Sequence, residues 1–585
     1  MLRHKAILQT KHLLLFMRHC SAMTVQPLHA RAGMFRHEVA IVDTHGHYTY
    51  QQLINGSTHL SSSLREVFQS SRFTRKHCMG VDYEKQLGIA FLCPNDVSYT
   101  LVQWATWKYG GVAIPLCGMH PLSELEYVIL DSLASVVVSS GSSDNYNKIS
   151  SIANKLRIFH YHLNTRELLA SLDIYETENE QTNRLPSDQP AQIVYTSGTT
   201  GRPKGVVVTH GNLVSQITAQ IESWGWTQDD CMLHVLPLHH VHGIVNALAC
   251  PLWCGAICHM LPEFDAAKVW DLLLHRNSAV TQSISMLTAV PTVYFKLIKY
   301  YEQAGYNKNE KEDIKQHLQS KIRLMISGSA PLSTTTMEKW HNITGHWLLE
   351  RYGMTEVGMA LSNPLYGTRS PGAVGRPLPS VSVRICDSES ETLLAEGDSR
   401  GTVVYSDNVS VGGLLQIKGP SVFPQYWNRP AATEESFTKD GWFITGDTAA
   451  FTNGTYHIIG RTSVDIIKSG GYKISALEVE RHLLCHPAIA EIAVVGIDDK
   501  EWGQLVAAVV VHNHEIDVSE VQQWSKSHIP PYAVPRLWKF VNEIPRNSMG
   551  KVNKKALAKI FDVNNQQDKQ LLVNSYFHDL VFPSH

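Results

Sequence analysis

Apolar runs alternate with amphipathic segments along most of the chain. Runs such as LGIAFLC, GGVAIPL and ASVVVSS are typical of buried strands, and YTLVQWATWKYG has a helical pattern. Strands that alternate with helices in this way indicate parallel α/β layers. The polar stretch YETENEQTNRLPSDQP predicts a linker or surface loop, and the charged stretch YEQAGYNKNEKEDIKQHLQSK predicts a solvated helix or loop.

The pattern changes after Gly460. SALEVERHLLCHPAIAEIAVVGI predicts a helix followed by a strand, and further apolar runs continue to LWKFVNEI. This rhythm is typical of a small α+β domain of about a hundred residues. We therefore predict an α/β fold with a large N-terminal domain of layered α/β sheets and a small C-terminal domain. The predicted boundaries are a leader at 1–37, the large domain at 38–460, a hinge at 461–463, the small domain at 464–565 and a tail at 566–585.

The leader differs in charge from the rest of the chain. It contains no acid, and Glu38 is the first carboxylate of the chain. Its six basic residues are Arg3, Lys5, Lys11, Arg18, Arg31 and Arg36. This pattern favours a flexible mitochondrial transit peptide. A disordered basic tail and a secretory signal peptide built on HLLLFM are the alternatives.

Composition excludes several classes of protein. Of the 585 residues 43% are hydrophobic and 18% charged, which is typical of globular domains. A net charge of -2 gives no reason to expect nucleic acid as a partner, and the apolar runs are too short to span a bilayer. The ten scattered cysteines fit a reducing compartment. Cys250, Cys254 and Cys258 would share one helical stripe, for which we favour core packing over a metal cluster with His259.

The stretch YTSGTTGRPKG, Tyr195 to Gly205, combines glycines, hydroxyls and Lys204. Glycine lets backbone N–H groups approach a ligand, so the stretch predicts a phosphate-binding loop. A strand at AQIVY and a helix starting near His210 would place it where open α/β sheets bind ligands. It is not a Walker-type P-loop, because Pro203 and Gly205 stand where that motif requires Gly and Ser or Thr.

The same stretch closely resembles the signature of the adenylate-forming enzymes. Further motifs follow in the family's order, namely SGSAPL, ERYGMTE, GWFITGD, GRTSVDIIKSGGYKI and PRNSMGK, and the resemblance runs from about Phe35 to about Lys559. It implies that a carboxylate attacks the α-phosphate of ATP to give an acyl-adenylate, from which a thiol displaces AMP. ATP, Mg²⁺ and coenzyme A as co-substrate are implied with it.

The resemblance also implies roles for individual residues. Lys204, Thr355 and Lys551 would be catalytic, with Lys551 neutralising charge that grows on the α-phosphate. Asp447 would bind the ribose, and Glu356 would hold Mg²⁺. The implied ATP contacts are Thr196, Ser197, Gly198, Thr199, Thr200, Gly201, Arg202, Pro203, Lys204, Gly328, Ser329, Ala330, Glu350, Tyr352, Gly353, Met354, Thr355, Asp447, Arg461 and Lys551.

In this family the small domain is mobile and rotates between the two half-reactions. The coenzyme A contacts implied for the rotated state are Ser469, Gly470, Gly471 and Tyr472. Ser463 stands where relatives commonly have Asp or Lys at the hinge. Lys554 and Lys555, close to Lys551, are expected to be solvated.

Arg351 suggests which acid is activated. A guanidinium in the acyl pocket suits a second carboxylate and is a poor lining for an aliphatic tunnel. The stretch from ERYGMTE to GRPLP resembles malonyl-CoA synthetases, so we expect malonate, with methylmalonate tolerated. His239, His240 and His242 would assist or simply form the pocket wall. The alternative for Arg351 is an ion pair with Glu350 or another nearby acid.

The resulting hypothesis is an AMP-forming malonate:CoA ligase of the mitochondrial matrix that supplies malonyl-CoA for fatty acid synthesis. The expected partners are small molecules only, with the chain a monomer or weak dimer. A medium- or long-chain fatty acid:CoA ligase, an enzyme that loads a carrier-protein thiol and a non-catalytic nucleotide-binding regulator are the alternatives.

Overall fold

The computed structural model describes residues 23–70, 87–170, 184–196, 202–276, 282–410, 412–462, 464–470, 472–512, 518–526, 528–546 and 552–561. Over these ranges no helix is both long and apolar enough to span a membrane. The α-helices are Leu28–Arg31, Tyr50–Ser70, Val97–Tyr109, Leu122–Asp131, Ser143–Leu156, Thr165–Ala170, His210–Trp224, Cys250–Cys254, Ala266–Leu273, Pro291–Gln303, Lys308–Lys321, Thr334–Thr344, Pro430–Glu435, Ala476–Leu483, Val518–Lys526 and Lys554–Ala558. There are also short 3₁₀ turns at Ala32–Phe35, Asp407–Ser410 and Pro531–Ala533 and a π-helix at His242–Ala249.

The first large sheet carries the predicted phosphate-binding loop. Three adjacent strands of this sheet are wholly buried and pair in parallel, which confirms the strands predicted from LGIAFLC, GGVAIPL and ASVVVSS. The intervening helix Val97–Tyr109 begins where Asp96 accepts from the Ser98 N–H, and it ends at Gly110, whose φ is +86°. The strand order is Gln425–Tyr426, Lys204–Thr209, Pro190–Thr196, Val112–Pro115, Gly88–Leu92, Val136–Ser140 and Phe159–Leu163.

The second large sheet has a parallel part and an antiparallel part that meet at the strand Leu349–Met354. This strand holds most of the ERYGMTE motif and therefore lies where the two parts of the sheet join. The order is Gly401–Val404, Leu393–Asp398, Ser382–Cys386, Gly413–Lys418, Phe443–Thr452, Thr455–Arg461, Ala373–Pro377, Gly358–Ser362, Leu349–Met354, Leu324–Ser327, Met286–Ala289, Cys231–His234, Ile257–Met260, Val39–Asp43 and Gly46–Thr49.

The C-terminal part has its own sheet and cores. Tyr472–Ser475, Ile466–Ser469, Gly503–His512 and Ile489–Asp499 are neighbours in that order, and Leu537–Phe540 pairs with Gly503–His512 in parallel. Separate apolar clusters cover its two faces. The predicted helix and strand after Ser475 are confirmed. The fold is therefore α/β with a smaller C-terminal α+β unit, as predicted, while the exact hinge remains a prediction.

Residues 23–37, which the sequence analysis assigned to the leader, belong to the packed body. Thr24–Val25 pairs with Leu185–Pro186, and Leu28 and Ala32 are buried in the main core. The basic residues of this segment suggested a leader, but its few apolar side chains pack into the core. The rest of the predicted transit peptide, residues 1–22, lies outside the described residues.

The three regularly spaced cysteines do not share a helix. Cys250 and Cys254 lie on the helix Cys250–Cys254, but Gly255 ends it with a φ of +82°, and Cys258 lies on the next strand. The prediction that the three cysteines share one helical stripe is thus wrong. Core packing is confirmed for Cys250 and Cys258, which are fully buried.

Candidate active site

The two strands that flank the phosphate loop form an antiparallel pair, with Thr196 opposite Lys204. Tyr127 donates to the Pro203 carbonyl over 2.8 Å, and Arg202 lies over the Tyr127 ring with its guanidinium carbon 5.2 Å from the centroid. These contacts fix the end of the loop at which Lys204 enters its strand. Ser197, Gly198, Thr199, Thr200 and Gly201 lie outside the described residues.

Asp131 forms hydrogen bonds that connect the same two strands to the segment around Trp427. Its carboxylate accepts from the Tyr195 hydroxyl over 2.8 Å and pairs with Arg429. Its backbone carbonyl accepts from the Trp427 indole over 3.1 Å, and the Trp427 N–H donates to Gly205. The loop is thus held from the side of the strand Gln425–Tyr426.

Lys204 and Glu356 share one neighbour, Tyr426. The Lys204 ammonium lies 5.1 Å from the centroid of the Tyr426 ring, and the Tyr426 hydroxyl donates to Glu356 Oε1 over 2.9 Å. Glu356 is buried, which raises its pKa, while the hydroxyl opposes that change. A cation over the ring and an acid at the hydroxyl are thus both positioned by one tyrosine.

Asp447 is held by two of the predicted ATP contacts. The Tyr352 hydroxyl donates to Asp447 Oδ2, and Arg461 Nε lies 2.9 Å from Oδ1. Asp447 and Arg461 stand opposite each other in adjacent strands, so the pairing follows from the register. Burial, reinforced by the Asp447 charge, raises the pKa of Tyr352 well above its usual value, so the phenol stays a donor.

Gly328, Ser329 and Arg351 also lie together. A Cβ atom on Gly328 would stand 2.6 Å from the guanidinium carbon of Arg351, so a larger residue at 328 would displace that group. Arg351 donates to Ser329 Oγ over 3.4 Å, and Ser329 has a φ of +68°. Ala330, the third residue of the predicted adenine contact, is exposed beside them.

Arg351 is buried without an acid. It is 3% exposed, its Nε and Nη1 groups have no hydrogen-bond partner, and no ion pair reaches it among the described residues. Burial lowers its pKa to about 9. A buried guanidinium normally has a carboxylate or phosphate partner, because desolvation is costly. The alternative of an ion pair with Glu350 is not observed.

The predicted histidines separate into two groups. His242 is hydrogen-bonded to Ser329 Oγ over 3.2 Å and to Thr288 Oγ1 over 2.7 Å, so it belongs to the Arg351 site. Burial lowers the pKa of His242 well below its usual value, and the charge of Arg351 lowers it further. His239 packs on His120 instead, with ring centroids 5.7 Å apart.

The remaining residues of ERYGMTE shape the strand and its turn. Glu350 accepts from the Gly372 N–H over 2.7 Å, and burial raises its pKa to about 7. A Cβ on Gly353 would stand 2.1 Å from the Gly358 carbonyl, so glycine is needed there. Met354 ends the strand, and Thr355 lies in the turn between two strands.

The described coenzyme A candidates lie on a hairpin of the C-terminal sheet. Ser469 is buried, and Gly470 donates its N–H to the Trp502 carbonyl over 2.9 Å. Tyr472 is exposed and stacks on Tyr532 with centroids 4.2 Å apart. Gly471 lies outside the described residues.

Lys551 and Ser463 also lie outside the described residues, but Lys554 does not. The expectation that Lys554 is solvated is wrong, since its side chain is 10% exposed and pairs with Asp465 over 2.6 Å and Glu480 over 2.7 Å. Two buried acids from distant parts of the sequence draw the ammonium inward. Lys555 is exposed, as expected.

Sequence reasoning missed the residues that support these groups. Tyr426, Asp131, Thr288 and Tyr127 carry no motif, and each acts through a contact with a residue far along the chain. The aromatic run QYW next to the sheet edge was the one available signal.

Comparison with known proteins agrees with this geometry. The model of the AMP-binding enzyme family matches residues 28–427, and that of the AMP-binding enzyme C-terminal domain matches residues 478–551. The chain therefore belongs to the family of AMP-binding enzymes, which are adenylate-forming.

Individual relatives are similar over most of the chain. "Malonate--CoA ligase ACSF3, mitochondrial" of Xenopus laevis is 48% identical, with 91% of each chain covered. "Malonate--CoA ligase" of Arabidopsis thaliana is 38% identical over 88% of this chain and 84% of its own. The solved structure of ATP-bound MatB from Rhodopseudomonas palustris is 32% identical with a TM-score of 0.75, covering 92% of this chain and 99% of that one.

Proposed function

We propose that this protein joins malonate to coenzyme A, with ATP converted to AMP and pyrophosphate. The observation that carries the proposal is the buried guanidinium of Arg351 beside Ser329 and His242, with which no acid of the described residues forms an ion pair. A dicarboxylate leaves one carboxylate for Arg351 while the other reacts, which a fatty acid cannot do. Relatives named malonate--CoA ligase support the same substrate.

Binding of ATP follows from the residues around Lys204 and Asp447. Lys204 neutralises phosphate charge, and the Asp447 carboxylate, held by Tyr352 and Arg461, accepts from the ribose hydroxyls. Thr355 lies in the turn that follows Tyr352 and contacts the α-phosphate. These groups align the attack and need to move no proton.

Mg²⁺ fits the acid next to Lys204. The Glu356 carboxylate is a hard oxygen ligand, and a single carboxylate together with substrate phosphates is a common environment for this ion. When bound, the ion would neutralise phosphate charge; Tyr426 orients the carboxylate that would hold it.

The reaction then has two steps. A malonate oxygen bonds to the α-phosphorus while the bond to pyrophosphate breaks, and the coenzyme A sulfur then bonds to the acyl carbon while AMP leaves. We propose that Lys551 serves the first step and that the hairpin with Ser469, Gly470, Gly471 and Tyr472 faces the second after rotation of the small domain. Methylmalonate is accepted because one methyl group changes the binding free energy by only about 1–3 kcal/mol.

We also propose the location and the use of the product. The basic residues Arg3, Lys5, Lys11 and Arg18 and the mitochondrial relative support a mitochondrial location, for which we propose the matrix. Malonyl-CoA formed there supplies fatty acid synthesis inside the organelle.

The test compares acids on protein that lacks residues 1–22. AMP formation that depends on coenzyme A is measured with acetate, malonate, methylmalonate, succinate and palmitate, for the wild type and for Arg351→Met. Methionine keeps much of the volume and removes the charge. We expect malonate to be the best acid and the substitution to lower its kcat/KM at least about 100-fold, the equivalent of about 3 kcal/mol, with little change for acetate.

The matched control is Arg369→Met, which changes an arginine whose donors go to backbone carbonyls, including that of Trp347. It should not alter the order of the acids. A preference for palmitate that Arg351→Met leaves unchanged would favour a fatty acid:CoA ligase. Pyrophosphate release with none of the acids would favour the nucleotide-binding regulator.

A further inference from the structure

A second group of side chains, outside the nucleotide site, has the composition of a metal site. Cys117 and His120 lie on the turn that follows the strand Val112–Pro115, and His239 lies on the loop after Cys231–His234. One potential ligand atom from each of the three side chains falls within 4.8 Å of those of the other two. Two segments far apart in the sequence thus bring a thiol and two imidazoles together.

One nitrogen of each imidazole in this cluster has no hydrogen-bond partner among the described residues. Nε2 of His120 and Nε2 of His239 are buried and make no hydrogen bond in the structure. Buried imidazole nitrogens ordinarily have a hydrogen-bond partner. Two such nitrogens without one, beside a buried thiol, therefore indicate a site for a ligand. Cys117 is a free cysteine.

The surroundings of the cluster resemble those of a metal ligand set. His120 Nδ1 lies 3.7 Å from Glu124 Oε2, which is the outer carboxylate that often orients a metal-binding histidine. Lys148 donates to the Gly118 carbonyl over 2.9 Å and fixes the turn.

We propose that Cys117, His120 and His239 bind one zinc ion through a thiolate and two imidazoles. Sulfur and nitrogen donors suit Zn²⁺ and exclude Mg²⁺ and Ca²⁺, which prefer oxygen. Tetrahedral zinc at about 2.0–2.3 Å from its ligands separates them by about 3.3–3.7 Å, so modest side-chain rotations close the set. Metal binding would deprotonate Cys117, whose pKa is raised by burial.

A zinc ion here would connect two segments near the malonate site. His239 contacts His240, with ring centroids 4.1 Å apart, and His242 follows two residues later. The ion would therefore hold this loop against the Cys117 turn and leave a fourth coordination position for water. The proposal does not depend on which acid the enzyme uses.

The test measures zinc directly on the full chain. Protein is stripped with EDTA, dialysed, and titrated with zinc chloride in competition with a chromophoric chelator; bound metal is counted by mass spectrometry. We expect one zinc per chain, and at least about a 100-fold weaker affinity in Cys117→Ser and His120→Gln. Glu124→Gln should weaken binding about tenfold. Loading with Co²⁺ should give a thiolate-to-cobalt absorption band that Cys117→Ser lacks.

Two matched variants serve as controls. Cys485→Ser removes an exposed cysteine, and His160→Gln removes a histidine outside the cluster; both should bind zinc as the wild type does. Wild-type affinity in Cys117→Ser and His120→Gln, or no charge-transfer band with Co²⁺, overturns the proposal. Circular dichroism checks the fold of each variant, and His120→Gln, on a turn at the surface, decides the question if Cys117→Ser fails to fold.

Discussion

At the scale of single residues, the buried charge of Arg351 should lower the free energy of unfolding of the ligand-free protein. Replacing a buried ion pair by apolar side chains of similar volume is often neutral or stabilising by about 1–4 kcal/mol, and a buried charge without an ion pair has still less to offset its desolvation. We therefore predict that Arg351→Met unfolds at an equal or higher urea concentration than the wild type, and that malonate raises the midpoint of the wild type only.

Arg323 provides the contrast. It is bound by Asp230 through two hydrogen bonds, of 2.6 and 2.7 Å, so Arg323→Met leaves a buried acid unpaired and should lower the free energy of unfolding. Equal losses in the two variants would mean that Arg351 has a partner in the ligand-free protein.

Glu350 predicts a dependence of stability on pH. Burial raises its pKa from 4.5 to about 7 in the folded chain. The folded state holds this proton more tightly than the unfolded state, so the stabilisation is complete below pH 4.5 and is lost as the pH rises through about 7. The shift corresponds to about 3 kcal/mol.

Glu350→Gln should therefore gain stability relative to the wild type between pH 5 and pH 8, by up to about 3 kcal/mol. Urea unfolding at several pH values, compared as the difference between the two proteins, cancels the other titrating groups. Glu338→Gln makes the same substitution at an exposed position and is measured alongside as the control. A constant difference for Glu350→Gln would show that its carboxyl titrates normally.

At the scale of elements, Lys554 joins the last described helix to the rest of the C-terminal unit. It lies between Asp465 and Glu480, whose side chains are 11% and 15% exposed. Lys554→Met leaves these two acids facing each other, and we predict a loss of about 3–5 kcal/mol in the stability of that unit. Thermal unfolding should show the loss, with partial recovery in Lys554→Met/Glu480→Gln.

The neighbouring Lys555 is exposed on the same helix, so Lys555→Met should change the stability by no more than about 0.5 kcal/mol. If Lys554→Met and Lys555→Met lower the stability equally, the loss comes from the helix and not from the buried ion pairs of Lys554.

The elements that sequence predicted best are those with local causes. The helix His210–Trp224 was expected from its periodicity, and the Thr209 cap fixes its start. The strand Gly88–Leu92 was expected from its apolar run. Contacts between distant elements were not predictable: Tyr426 donates to Glu356 across 70 positions. The family motif placed Arg351 in the acyl pocket, but the structure was needed to show that two of its donor groups have no hydrogen-bond partner among the described residues.

At the scale of the whole molecule, the C-terminal unit contacts the large domain at a few points. Thr335 donates to the sulfur of the exposed Cys485 over 3.3 Å. A Cβ on Gly372 would stand 2.4 Å from Arg481 Nη1, so the helix Ala476–Leu483 lies directly against the loop at Gly372. Such contacts define one arrangement of the two parts, whereas the proposed two-step reaction requires a second arrangement.

Thr335→Cys can lock the observed arrangement. A disulfide with Cys485 needs the two sulfurs to approach to about 2.05 Å, about 1 Å closer than the atoms now in contact. We predict that oxidation lowers the overall turnover at least about tenfold and that reduction restores it, because rotation of the small domain is blocked. One half-reaction, measured by pyrophosphate exchange or by release of coenzyme A thioester from preformed malonyl-adenylate, should survive. Thr335→Cys/Cys485→Ser should not respond to oxidation, and full turnover by completely cross-linked protein would show that both steps proceed without rotation.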